Sequence, residues 1–274
     1  MNKYKLIACD LDGTLVGSDM KLSEENYTAI KELTKAGIYV VPATGRTLCE
    51  MEDVVNLSEI RYVIYSNGAG IYDKKTNETI FMGLDEDSTR FVCDTIEKYD
   101  ALTVIHKDGK TYADKKKVQN VLDYNVNFNV EYLVKNCCIQ DEKFRETFLS
   151  GGIESLSVFF KNQEEQKECF DIISSNPRLY AVEGFFCNME IFCKDAGKGS
   201  ALKILSEKLG IDMEDTISIG DSDNDIQMTL MAGLGLACEN ACDSLKKVAD
   251  KIICTNDEHV IRYVQKNYFN SQEV

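Results

Sequence analysis

Histidine is scarce in this chain: His106 and His259 are the only two among 274 residues. No pair of cysteines has the C-x-x-C spacing. Together these gaps exclude a zinc cluster of the usual Cys/His kind. No cysteine has an arginine six residues after it, so a phosphatase with a cysteine nucleophile in an arginine-closed loop is disfavoured. Positive charge is also short, with 31 Lys and Arg against 46 Asp and Glu, a net charge of −15. Such a surface repels nucleic acid and anionic membrane. No apolar run reaches the roughly 20 residues that span a bilayer. The opening "MNKYKLIACD" lacks the apolar stretch and small-residue cleavage site of a signal peptide. The expectation is a soluble, cytoplasmic chain whose 11 cysteines are mostly small buried thiols.

What is present is an ordered alternation. "KLIAC" reads as a buried strand, and Ser23 as the cap of a helix presenting Tyr27, Ile30 and Leu33. "GIYVVPA" is a second strand, followed by a helix through Leu57, and "RYVIYS" is a third. Strand, helix, strand, helix, strand implies parallel pairing with right-handed crossovers. From about Gly83 the pattern changes. A helix precedes "TVIHKDGKTYA", a hairpin with Asp108-Gly109 at its turn. "ESLSVFF" and "RLYAVEG" follow as strands with a helix between them. Near residue 190 the first pattern resumes, with a helix from Lys198 to Leu209, strands "TISIG" and "GLGLA", and a last helix from about Glu258 to Tyr268. The expected fold class is α/β: a doubly wound, parallel-sheet, Rossmann-like core (1–82 and 190–274) with a second, inserted α+β cap domain (83–189).

In parallel α/β sheets, ligands gather at the carboxyl ends of strands. Four polar stretches fall there: "DLDGT", "ATGR", "SNGAG" and "GDSDND". Lys198 opens a helix that could reach the same edge. Residues i and i+2 of an extended segment face the same side, so Asp10 and Asp12 share one face. Asp221 and Asp225 add two carboxylates. Four acids in one dry pocket repel one another unless a cation intervenes. Mg²⁺ suits all-oxygen ligation by carboxylates, substrate phosphate and water. Lys198, the Thr44 hydroxyl and the Gly45 amide then serve a bound anion. Asp10 is the candidate nucleophile on phosphorus, and Asp12 the candidate acid and base.

Duller explanations compete with each of these. A lone D-x-D-G is usually a solvated turn. Read as calcium loops, the two acidic stretches fail, with Leu15 and Ile226 where glycine is required and Lys21 and Ala232 where glutamate is. "GKGS" at Gly197 lacks the upstream glycine of a P-loop, having Phe192 instead. "GLGLAC" has Cys238 in the third glycine position of a dinucleotide fingerprint. Lys115 to Lys117 read as a solvated face, and His106 as an ordinary strand histidine without a visible partner.

Taken in order and spacing, "DLDGTL", "ATGR", "DAGKGSAL" and "GDSDNDIQM" resemble the haloacid dehalogenase-like hydrolases, closest to their Cof-type phosphatase branch with a large inserted α+β cap. "NGA" at Asn67 and "NA" at Asn240 resemble that branch as well. The resemblance implies a Mg²⁺-dependent phosphatase that hydrolyses a small phosphorylated metabolite through an aspartyl-phosphate. It implies Asp10 as nucleophile and metal ligand, and Asp12 as acid/base with its backbone carbonyl on the metal. Thr44, Gly45, Lys198 and Asn224 would hold the phosphate, Asp221 would ligate the metal and Asp225 would support it. Arg46 and Asn67 would lie near the substrate entrance, and the cap would select the leaving group. A hexose-phosphate mutase with the same core chemistry and a non-catalytic ligand-binding regulator are the alternatives. One departure is local: "NDEHVIRYV" stands where the family often has Gly-Val-Ala after an acidic residue.

Overall fold

A computed structural model describes residues 2–51, 58–126, 134, 137, 143–184 and 186–269. The helix expected to end near Leu57 falls largely outside these residues; Leu48–Glu50 forms a single tight turn. The strands are β1 (Leu6–Cys9), β2 (Tyr39–Pro42), β3 (Tyr62–Tyr65), β4 (Gly70–Asp73), β5 (Glu78–Phe81), β6 (Leu102–Lys107), β7 (Lys110–Ala113), β8 (Ile153–Phe159), β9 (Leu179–Glu183), β10 (Asn188–Cys193), β11 (Thr216–Gly220), β12 (Leu234–Ala237) and β13 (Lys251–Ile252). The helices are α1 (Glu24–Lys35), α2 (Glu86–Ile96), α3 (Lys115–Gln119), α4 (Phe144–Leu149), α5 (Gln163–Ser174), α6 (Lys198–Leu209), α7 (Ile226–Met231), α8 (Asp243–Val248) and α9 (Val260–Tyr268). None of them is long and apolar enough to cross a membrane.

The chain divides into two compact units. The first holds residues up to Arg46, Glu50–Ile80 and Gly197–Val274. Its sheet runs β13-β12-β11-β1-β2, with all neighbours parallel. Leu6 to Cys9 and Thr216 to Gly220 are buried throughout, as strands covered on both faces must be. The Ser23 hydroxyl accepts from the Asn26 amide at 3.2 Å and caps α1 as expected. Asn26, itself buried, ties the loop after β1 to α9: its side chain donates to Leu15 O at 3.1 Å and accepts from Ile261 N at 3.0 Å.

The third expected strand meets β2 in parallel, as read from the sequence, but only briefly: through the bridge of Ala43 to Ile64 and the bond from Thr44 N to Ile64 O at 3.0 Å. On its other side β3 pairs antiparallel with β4 in a three-stranded sheet that the sequence reading did not foresee. The cause is the turn between them. Ser66, Asn67 and Gly68 have φ of 49°, 53° and 89°, and three residues in the left-handed region reverse the chain.

The second unit holds Thr47–Cys49 and Phe81–Ala196. Its five-stranded sheet runs β7-β6-β8-β10-β9, with neighbours antiparallel throughout. The Asp108-Gly109 hairpin is present between β6 and β7. Leu156, Val158, Met189 and Ile191 pack with Val92, Ile96, Cys169 and Ile173 of α2 and α5. On the opposite face Leu102, Val104 and Phe159 pack with Val118, Val121 and Tyr124. The sequence reading set the return to the core at 190. β10 is an interior strand of this second sheet, bonded to β8 and β9, so residues 190–196 stay with the inserted unit and the first resumes at Gly197. His106 has a partner after all: its Nδ1 lies 3.3 Å from the Thr111 hydroxyl.

Candidate active site

Parallel register assembles the site. Cys9 lies opposite Ile219 on one side and Pro42 on the other. The residues that follow these three strand ends, Asp10, Asp221 and Thr44, therefore emerge on one edge of the first unit. Asp10 N donates to Ile219 O at 3.0 Å, locking the exit of β1 to β11. Gly13, at φ +74°, turns the chain so closely over Asp221 that a Cβ there would lie 2.5 Å from its Oδ2. The turn brings Thr14 round, and its hydroxyl donates to Asp221 Oδ1 at 3.0 Å.

At the centre is a buried cation between two acids. Lys198 Nζ stands 2.7 Å from Asp10 Oδ1 and 2.7 Å from Asp225 Oδ1. The three side chains are 0%, 6% and 0% exposed, so water solvates none of these charges. Burial opposes the Lys198 charge, but the two carboxylates outweigh it and its pKa is raised. Burial pushes the Asp10 carboxyl up to about 7, against the pull of Lys198. Asp221 is raised too, by burial first, with the Thr14 hydrogen bond opposing. One ammonium does not balance the acids gathered here.

A divalent cation fits that deficit. Asp10, Asp221 and Asp225 each place one carboxylate oxygen within 4.8 Å of the others. Asp225 is already engaged: Oδ1 meets Lys198, and Oδ2 accepts from Asp221 N at 3.0 Å and Ser222 N at 3.1 Å. Asp10 and Asp221 keep more of their oxygens for a metal, and all of these donors are the hard oxygens that Mg²⁺ takes. The Asp12 carboxylate is not part of this group. It is 46% exposed and gripped by Arg46, through Nε to Oδ2 at 2.8 Å and Nη2 to Oδ1 at 2.5 Å. The structure thus brings three of the four expected metal residues together by side chain and turns the fourth toward Arg46.

The remaining expected residues lie on the same unit. Thr44 is buried, and its hydroxyl accepts from Arg46 N at 3.1 Å. Gly45 lies against Asn67, whose carboxamide a Cβ at 45 would meet at 3.1 Å. Asn67 Oδ1 accepts from Asn224 Nδ2 at 3.0 Å, and Asn224 Oδ1 from the Ser222 hydroxyl at 2.9 Å. Sequence reasoning gave no role to Thr14, Ser222 or the Asn240 side chain. Asn240 Nδ2 donates to Gly13 O at 2.8 Å and steadies the β1 turn. Thr14 was within reach, lying four residues past Asp10 in the quoted motif. Ser222 forms a capping box with Asp225, which S-x-x-D signals. The departure at "NDEHVIRYV" is local: Thr255 and Glu258 form a capping box, and His259 takes φ 66°, a conformation that favours glycine.

The family model for a haloacid dehalogenase-like hydrolase matches residues 7–264. A Bacillus subtilis protein, 5-amino-6-(5-phospho-D-ribitylamino)uracil phosphatase YcsE, is 34% identical over 93% of this chain and 91% of its own length. Phosphatase YwpJ from the same organism is 29% identical over 96% of this chain and 99% of its own. The crystal structure of TM0651 from Thermotoga maritima superposes with a TM-score of 0.79 at 25% identity, covering 96% of this chain and 97% of that one.

Proposed function

Because the chain belongs to the haloacid dehalogenase-like hydrolases and is a phosphatase of that family, we propose that it hydrolyses a small phosphorylated metabolite with the help of Mg²⁺, through a phosphorylated Asp10. The observation that carries this reading is the setting of Asp10: a carboxylate at the tip of a core strand, 4% exposed, with one oxygen on Lys198.

In this reading an Asp10 oxygen attacks phosphorus as the bond from phosphorus to the leaving oxygen breaks. Asp12 gives its proton to that leaving oxygen and then takes one from water, which attacks phosphorus and frees inorganic phosphate and Asp10. Arg46 orients Asp12 through its two hydrogen bonds. Lys198, Thr44, Gly45 and Asn224 bind and orient the phosphate oxygens. Asp10, Asp221 and the Asp12 carbonyl would hold Mg²⁺, with Asp225 fixing the loop behind them. The ion supplies charge stabilisation at the transferring oxygens. The inserted unit, which carries none of these residues, is assigned the choice of leaving group.

The test is a phosphate-release screen over sugar phosphates, nucleotides, and flavin and pyridoxal phosphates, with and without Mg²⁺. It should begin with the phosphorylated ribitylamino-pyrimidine named for the YcsE relative. The reading expects Mg²⁺-dependent release of free phosphate, lost in Asp10→Asn. Turnover that persists in Asp10→Asn, or an isomerised phosphate ester as sole product, would overturn it.

A further inference from the structure

The helix that opens with Lys198 has no cap of its own. Its N-cap position is Gly197, which has no side chain to offer, whereas Ser, Thr, Asp or Asn usually accepts the amide hydrogens two and three residues on. Those amides, of Gly199 and Ser200, are instead met from another helix. Gln227 Oε1 accepts both, at 3.2 and 3.3 Å, and Gln227 Nε2 donates to the Ser200 hydroxyl at 3.2 Å. The orientation of the carboxamide follows from its partners, since reversal would set its NH₂ against two N–H groups.

The Gln227 carboxamide fills the space that a side chain at 197 would take. A Cβ on Gly197 would lie 2.1 Å from Gln227 Oε1, and one on Gly199 2.8 Å from the Gln227 backbone. On the other flank, a Cβ on Gly68 would lie 2.2 Å from Gly197 O. The first turn of α6 is therefore seated between the Ser66–Gly68 turn and α7, with glycine at each close approach. The side chain that leaves this turn first is Lys198.

We propose that Gln227 is a positioning residue for Lys198. It caps α6 through space and so fixes where the ammonium stands between Asp10 and Asp225. It touches neither the acids nor the phosphate, and acts only through the helix start. The activity arm of the test rests on the phosphatase reading above; a second arm does not.

In the first arm, hydrolysis of p-nitrophenyl phosphate with Mg²⁺ is compared across variants. Gln227→Ala should lower kcat/KM about tenfold, the size of effect that loss of a helix cap allows. Gly197→Ser alone should lose less activity, because its Cβ displaces only the end of the Gln227 side chain and its hydroxyl takes over the cap. Combined, Gly197→Ser and Gln227→Ala should recover most of it, since a local hydroxyl replaces the distant carboxamide. In a Lys198→Arg background, Gln227→Ala should cost much less than tenfold. The second arm needs no substrate. Nitrogen-15 NMR of the lysine ammonium groups should show a solvent-protected Lys198 signal in the native protein. That signal should weaken in Gln227→Ala and return in the Gly197→Ser/Gln227→Ala pair. Three results would overturn the proposal: Gln227→Ala lowering stability with kcat/KM and the ammonium signal intact, no recovery in the paired variant, or full additivity with Lys198→Arg. A native protein without turnover would sink the phosphatase reading and leave the NMR arm standing.

Discussion

Lys198 in the first unit and Arg145 in the second each stand between two acids, and the two triads differ in surroundings. In the first, Lys198 lies between Asp10 and Asp225, with side chains no more than 6% exposed. In the second, Arg145 bridges Asp94, at 2.7 Å, and Glu97, with side chains 45%, 54% and 49% exposed. Formal charge is the same in both. The exposed triad exchanges hydrated ions for a hydrated ion pair, a small net gain that salt screens further. The buried one holds ions that water cannot reach, where removing one partner strands the others. Distance alone does not separate a surface decoration from chemistry held ready; solvation does.

The largest effect expected follows from that contrast. Lys198→Ala should abolish phosphate release and destabilise the metal-free protein by about 3–5 kcal/mol, the usual cost of leaving buried charge unpaired. Denaturant unfolding with Mg²⁺ removed by chelator measures it. A loss similar to that of a surface pair would erase the distinction between the two triads.

Metal should shift the buried triad and spare the exposed one. Above its dissociation constant, each tenfold rise in Mg²⁺ should add about 1.4 kcal/mol to unfolding free energy. Asp221→Asn should flatten that dependence in thermal melts, and Arg145→Ala should leave it as it was. Arg145→Ala itself should change stability far less than Lys198→Ala does, and less still at high salt.

The smallest effect lies between these extremes, at Arg61 and Asp73. Asp73 is 5% exposed, and the Arg61 hydrogen bonds hold its carboxyl below the ordinary range. A folded-state pKa below the unfolded one gives stability that is complete above the unfolded value, roughly 3.9 for Asp. That stability fades as pH falls through the folded value. Unfolding of Arg61→Ala followed from neutral to acid pH should show a flatter decline than the native protein.

Much of this was legible in the chain because strand ends are legible. "KLIAC", "YVVPA" and "TISIG" announce buried strands, and parallel pairing sends whatever follows them to one edge. That made Asp10, Thr44 and Asp221 neighbours on paper. The Asp108-Gly109 hairpin was equally plain, since its turn residues carry a known geometry. "SNGAG" carried two messages, a stretch at the site's edge and the reversal into β4, and only the first was read. Residues 190–196 carry no local sign of which sheet they join, because a strand of either sheet reads the same until its partners are known. Arg46 on Asp12 and Gln227 on the Lys198 helix could not be read at all. Both depend on where long side chains reach between elements far apart in sequence, and nothing in local pattern encodes that.

The most direct test of the central claim is to look for the phosphoryl group on the chain. Enzyme mixed with a turned-over phosphate ester and Mg²⁺ is quenched in acid, digested and examined by mass spectrometry. The account expects phosphate on the peptide containing Asp10, localised to that carboxylate. Phosphate on any other residue, or an Asp10→Asn protein that still accumulates the same adduct, would contradict it.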